Sequence, residues 1–240
     1  HYLNFDLNIE DNPCILKFQG YFIKNKKIGA FFNYCSNNTL NHVIELQRNK
    51  KCTCLTDTKK LIIIYGIASA MSYLHSHNIL HLNLNSEFIY LDDHLHPKVS
   101  EFYDSLKIPN HIEPNSIFYY QKKISSIHDS PEYIKEFKVS KSHDVYSFSM
   151  ILYEILTEDE IIIDEKNQPN FNIIKLIIEG ERPKFKKQIL KYYQDLIERC
   201  WSSDPTKRPT FDDIIKELET NPTIINENID KDEYLKYIDY

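Results

Sequence analysis

Hydrophobic residues fall along this chain in two rhythms. Residues 13–23 (PCILKFQGYFI) and 27–35 (KIGAFFNYC) are short aromatic and aliphatic runs with a polar NKK stretch between them. Runs of that length and type predict two antiparallel strands joined by a turn. Ser36-Asn37-Asn38 reads as a loop and Leu40 to Leu46 as a short helix. From 57 to 75 the period changes. Ile64, Ile67, Ala68, Met71 and Leu74 recur at three- and four-residue steps, one face of a helix that Thr56 or Thr58 can cap. Ile79 to Ser100 alternates short apolar pieces with polar turns, as small hairpin strands do. Residues 142–157 (SHDVYSFSMILYEILT) are apolar around most of a helix circumference, which predicts burial in a larger core. Residues 171–179, 189–201 and 211–220 read as amphipathic helices. Asp204-Pro205 interrupts the last two, and Asp212 and Asp213 suit the N-terminal dipole of the final one. Strands first and helices afterwards predict an α+β fold. Residues 222–240 are acidic and aromatic, with Tyr234, Leu235 and Ile238 spaced to form a small helical face. That tail leads into another domain or is a frayed end.

Composition narrows the class. A chain of 240 residues with 42% hydrophobic content can fill a core, and 27% charge suits a soluble surface. A net charge of -6 gives no broad basic footprint, so no nucleic-acid partner is expected. The longest apolar run, Leu61 to Tyr65, is far too short to span a bilayer, and no membrane segment is expected in this chain. The first residues, HYLNFDLNIED, lack the apolar core of a signal peptide. The chain starts at His1 rather than Met, so the natural product is expected to extend upstream. Cys14, Cys35, Cys52, Cys54 and Cys200 show no disulfide framework, which predicts reduced thiols and a cytoplasmic location. Cys52-Thr53-Cys54 has no second pair at zinc-finger spacing, and His75 and His77 read as helix-end residues, so no metal site is expected.

Several landmarks then follow in one order. His81-Leu82-Asn83-Leu84-Asn85-Ser86-Glu87-Phe88 resembles the catalytic loop H-R-D-L-x-x-x-N of protein kinases. Glu101-Phe102-Tyr103 resembles D-F-G, and Ser130-Pro131-Glu132 resembles A-P-E. Asp144-Val145-Tyr146-Ser147-Phe148-Ser149 is similar to the family's D-x-W-S-x-G helix start. Cys200-Trp201, Asp204-Pro205 and Lys207-Arg208-Pro209 resemble its C-terminal C-W-x-x-D-P-x-x-R-P signature. Upstream, Asn12-Pro13-Cys14-Ile15 and Asn33-Tyr34-Cys35 look like the start of the fourth strand and the hinge. Together these cover roughly residues 12 to 220, with a lean toward the tyrosine-kinase-like branch. The resemblance implies a partial small N-lobe and hinge over 1–48, a mainly helical C-lobe over 49–221, and the tail over 222–240.

The same resemblance implies a chemistry whose parts are changed. Phosphoryl transfer rests on positioning and charge neutralisation. The family's proton-accepting Asp is Asn83 here, and a carboxamide is no base at neutral pH. Loss of a positioned base typically costs ~10²–10⁴ in rate. The loop Lys is Asn85, and the metal-holding Asn is Phe88, whose ring has no oxygen to offer and reads most simply as core packing. The D-F-G Asp is Glu101, and the following Gly is Tyr103. Nothing before residue 12 matches a Gly-rich loop or the V-A-I-K lysine. Leu82 replaces the Arg that receives an activation-loop phosphate, so switching by phosphorylation within 104–129 is not expected.

Structural positions are kept. His81 and Phe102 are suited to stack in the family's hydrophobic spine, Asp144 to hold the catalytic-loop backbone, and Glu132 and Arg208 to form a buried ion pair. Phe32 stands at the gatekeeper position, with Asn33, Tyr34 and Cys35 along the hinge. Tyr90 stands at the adenine floor, as packing or as a plug. These residues predict a catalytically inactive pseudokinase that binds a protein partner and needs no cofactor. ATP and Mg²⁺ enter only if N-lobe elements lie upstream. The alternatives are a weak protein kinase relying on Glu101, and a nucleotide sensor independent of metal.

Overall fold

The computed structural model describes residues 12–109, 112, 116–121, 127–163 and 170–239. Its first element is a hairpin, β1 (Phe18–Lys24) against β2 (Lys27–Phe32), antiparallel as the sequence predicts. Asn25 and Lys26 both take left-handed angles, φ 52° and 60°. That is the two-residue turn whose twist matches paired strands. The register shifts between Phe18 and Gly20, where Gly20 has φ 154°. The Phe31 ring there comes within 2.9 Å of where a Cβ would stand. Tyr21, Phe22, Ile23 and Ile28 of the hairpin stay exposed.

Helix α1 (Leu40–Arg48) follows, capped by the Thr39 hydroxyl. Helix α2 (Asp57–Ser76) is capped by Thr56, whose Oγ1 accepts from the Lys59 amide at 3.2 Å. Thr58 is buried and bonds elsewhere. The sequence periodicity shows one apolar face of α2. The structure buries Leu61, Ile62, Ile63 and Ile64 in succession, because neighbours pack on several sides of this helix. Short strands then pair: β3 (Ile79–Leu80) with β6 (Leu106–Lys107), and β4 (Ile89–Leu91) with β5 (Pro97–Val99). Strand β7 (Phe118–Tyr119) pairs with β8 (Lys138–Val139).

Between β7 and β8 lies α3 (Pro131–Glu136), a six-residue helix with Pro131 in its first turn. Pro is pre-organised for that position. Helix α4 (Lys141–Thr157) is buried along nearly its whole length, which agrees with its all-round apolar sequence. The remaining helices are α5 (Asn170–Glu179), α6 (Lys191–Cys200), α7 (Phe211–Thr220) and α8 (Lys231–Ile238). Thr210 and Asp213 form a reciprocal capping box on α7. Phe148 of α4 meets Phe211 of α7 edge-to-face at 5.3 Å within the main core. The architecture is thus an α+β fold with a strand hairpin ahead of a helical body. No helix among the described residues is long and apolar enough to cross a membrane.

The tail differs from its sequence pattern. Helix α8 buries Tyr234 and Tyr237, while Leu235 is 40% exposed. Its inner face therefore runs through Tyr234, Tyr237 and Ile238, because the two phenols reach α2 and the end of α7.

Candidate functional site

The loop after β3 is held from below by Asp144, in the first turn of α4. Its Oδ2 accepts the His81 amide at 2.9 Å and lies 2.9 Å from His75 Nε2. Its Oδ1 accepts the Leu82 amide at 2.8 Å. The carboxylate thereby fixes Leu82 at φ 63°, a conformation a branched side chain rarely adopts. Burial opposes ionisation of Asp144, yet the His75 hydrogen bond and the nearby His75, His143 and His81 rings bring its pKa down to about 2.

His81 is fully buried, with Nε2 2.9 Å from the Ser100 carbonyl and its ring 5.2 Å from that of Phe102. Leu82 is also fully buried. It belongs to a second apolar cluster with Leu80, Ile108, Tyr133 and Val139, which joins the loop to β8 and α3.

The open side of the loop carries the altered chemistry. Asn83 Nδ2 donates to the Tyr103 hydroxyl at 2.7 Å. Phe88 meets Tyr103 edge-to-face at 6.4 Å. Phe88 is half-buried and absent from the buried core clusters, so the simplest sequence reading of its ring as core packing is corrected. Asn85 is spent on the turn: its Oδ1 accepts the Glu87 amide at 2.9 Å and its Nδ2 donates to the Asn83 carbonyl at 3.2 Å. Glu101 is solvent-accessible at φ 63°, and partial burial raises its carboxyl above the ordinary value.

These groups do not fit Mg²⁺. A hard divalent ion needs several oxygen ligands in near-octahedral geometry. The positions supply one carboxylate, the Asn83 carboxamide, an Asn85 carboxamide whose oxygen already accepts from Glu87, and a benzyl ring. Among the described residues, no group of three or more His, Cys, Asp or Glu could hold a metal.

The hinge positions form a separate group. Phe32 ends β2, 38% exposed, with its ring 5.6 Å from Phe18. The Asn33 amide donates to the Lys17 carbonyl at 3.0 Å, and its side chain accepts from Gln19. Tyr34 is 88% exposed, and Cys35 is half-buried with its thiol pushed up by burial. The chain then ties to β4: the Asn37 amide donates to the Leu91 carbonyl at 3.1 Å, and the Leu91 amide to that of Asn38 at 2.9 Å. Tyr90, partly buried, bridges Thr39 across the same junction.

Glu132, in the first turn of α3, meets Arg208. The pair is bidentate, at 2.7 and 2.8 Å. Arg208 also donates to the Ser202 and Ser142 carbonyls at 2.9 Å and lies over the Tyr146 ring at 5.2 Å. Burial would raise the Glu132 pKa, but the Arg208 contact outweighs it and holds the carboxyl low.

Comparison with known proteins agrees with this layout. The family model for protein tyrosine and serine/threonine kinases matches residues 7–218. The chain belongs to that protein kinase family. It is 32% identical over 217 residues to the Dictyostelium discoideum protein named "Probable serine/threonine-protein kinase gdt2", covering 87% of this chain and 12% of that protein. It is 32% identical over 187 residues to RGS domain-containing serine/threonine-protein kinase A of the same organism, covering 78% and 16%. Mouse interleukin-1 receptor-associated kinase 3 is 26% identical over 241 residues, covering 89% and 38%. The chain thus spans well under two thirds of each of these relatives.

Tyr103 is the site residue that sequence reasoning undervalued. The sequence marks only a lost glycine there. The signal that could have found it is a phenol two residues past Glu101, within reach of the loop amide.

Proposed function

We propose that this domain is a pseudokinase, keeping the kinase fold as a protein-binding module and lacking phosphotransferase activity. One observation carries the reading. The amide at the position of the proton acceptor is engaged by Tyr103, and the ring at the metal-holding position packs against the same tyrosine. The Tyr103 phenol occupies one polar end of the Asn83 side chain and competes with a substrate hydroxyl for it. Removal of a positioned base and a metal ligand together leaves positioning as the residual contribution. The buried supports, Asp144 and the Glu132–Arg208 pair, maintain a rigid helical body on which a partner protein docks, in a cytoplasmic setting.

Thermal unfolding of the full natural chain with Mg²⁺-ATP, and with ATP plus EDTA, tests the reading. No shift in melting temperature under either condition is expected. A shift that survives EDTA establishes a nucleotide sensor instead, and one that requires Mg²⁺ overturns the loss of metal binding.

A further inference from the structure

Helix α8 reaches across the molecule to the stem of the hairpin, and nothing in the catalytic loop accounts for that contact. The Tyr237 hydroxyl lies 3.4 Å from Cys14 Sγ, both groups buried and 223 positions apart. The Tyr237 ring lies 4.6 Å from His96 and 6.2 Å from Tyr65. Gly66 of α2 makes the room: a Cβ there would overlap the Tyr237 hydroxyl and stand 2.5 Å from Pro97 Cγ. A glycine inside a 20-residue helix weakens that helix relative to alanine, so its presence marks a close approach.

Further ties run along α8 and just before it. The Tyr234 hydroxyl donates to the Leu218 carbonyl at 3.2 Å, and its ring meets Tyr65 at 6.0 Å. The Asp230 amide donates to Thr58 Oγ1 at 2.8 Å, and Glu233 pairs with Lys59. The stem is itself hydrogen-bonded to β5. Val99 donates its amide to the Cys14 carbonyl at 2.8 Å, Leu16 donates to the Val99 carbonyl at 2.9 Å, and Lys98 Nζ donates to the Pro13 carbonyl at 2.7 Å. Tyr237 therefore touches the stem, α2 and the turn before β5 at one point.

We propose that α8 is a strap that clamps the hairpin stem, residues 12–16, onto the helical body through Tyr237. Lifting α8 then uncovers Cys14 and leaves the stem held by its hydrogen bonds to β5 alone, whatever the state of the catalytic loop.

The Cys14 thiol reports the clamp. The full chain is treated with N-ethylmaleimide under native conditions, and labelling of Cys14 and Cys200 is followed by peptide mass spectrometry. Cys200 is fully buried and serves as the measure of global opening. Both thiols are expected to be protected in the wild type. Tyr237→Ala is expected to accelerate Cys14 labelling by at least about tenfold with Cys200 unchanged, as local opening requires. Gly66→Ala is expected to do the same despite its better helix propensity. Tyr237→Phe, which keeps the ring, is expected to change labelling far less. Cys14 labelling in Tyr237→Ala that stays at the wild-type rate, or that rises only in step with Cys200, overturns the strap.

Discussion

The Tyr103 hydroxyl accepts a hydrogen bond from Asn83 Nδ2 at 2.7 Å, joining two positions 20 residues apart. In a protein kinase these positions carry a flexible glycine and a charged proton acceptor. Here they close on one another, and Phe88 packs against the tyrosine.

Tyr103→Gly is therefore expected to open the loop without restoring catalysis. Labelled-phosphate transfer from Mg²⁺-ATP by the variant should stay at background, because Asn83 is still no base and Asn83, Phe88 and Glu101 still lack a metal-binding set. Transfer by the variant above that background contradicts the loss of base and metal ligands and makes the phenol alone the block.

Arg208 is bound to one carboxylate and two carbonyls. Its loss leaves Glu132 largely buried and unpaired. Arg208→Ala should lower stability by ~3–5 kcal/mol. Chemical denaturation measures this, and a midpoint equal to the wild type defeats it.

Leu82 fills the second apolar cluster with Ile108, Tyr133 and Val139. Restoring the arginine of the family motif by Leu82→Arg places a charge among these groups. A loss of about 3 kcal/mol is expected, the scale of an unpaired buried charge. Leu82→Met should cost less than about 1.5 kcal/mol as a volume-conserving swap. Equal stability of the two variants contradicts the assignment.

Acid behaviour follows from Asp144. Its folded-state pKa is about 2 against an ordinary 3.8, so its contribution to stability is present above the higher value and is lost as pH falls through the lower one. Asp144→Asn should be less stable than wild type by roughly 2–4 kcal/mol near neutral pH. That gap should narrow as pH is lowered from about 4 to about 2. Urea midpoints of both proteins across this range measure it, and a gap independent of pH argues against the shifted carboxyl.

Much of this arrangement was legible in the sequence because it rests on patterns that tolerate little local variation. The short aromatic and aliphatic runs at 13–23 and 27–35 marked the hairpin, and the apolar circumference of 142–157 marked a buried helix. Glu132 and Arg208, 76 residues apart, were paired through motif resemblance, since no local rule links them. The contacts of Tyr103 and Tyr237 were not legible. Each depends on the rotation of one short element, the 3₁₀ turn Phe102–Asp104 or α8, against a distant partner, and periodicity leaves that angle undetermined. The six residues of α3 were also too few to show a helical period. Phe88 read as core because aromatic residues usually are. Its position on the open side of the loop was set by the backbone around it.

The most direct test of the account is transfer of labelled phosphate from Mg²⁺-ATP by the full natural chain onto itself and onto a generic protein substrate. The wild type and the Asn83→Ala variant should be equally silent. Wild-type transfer that disappears in Asn83→Ala or Glu101→Ala contradicts the account.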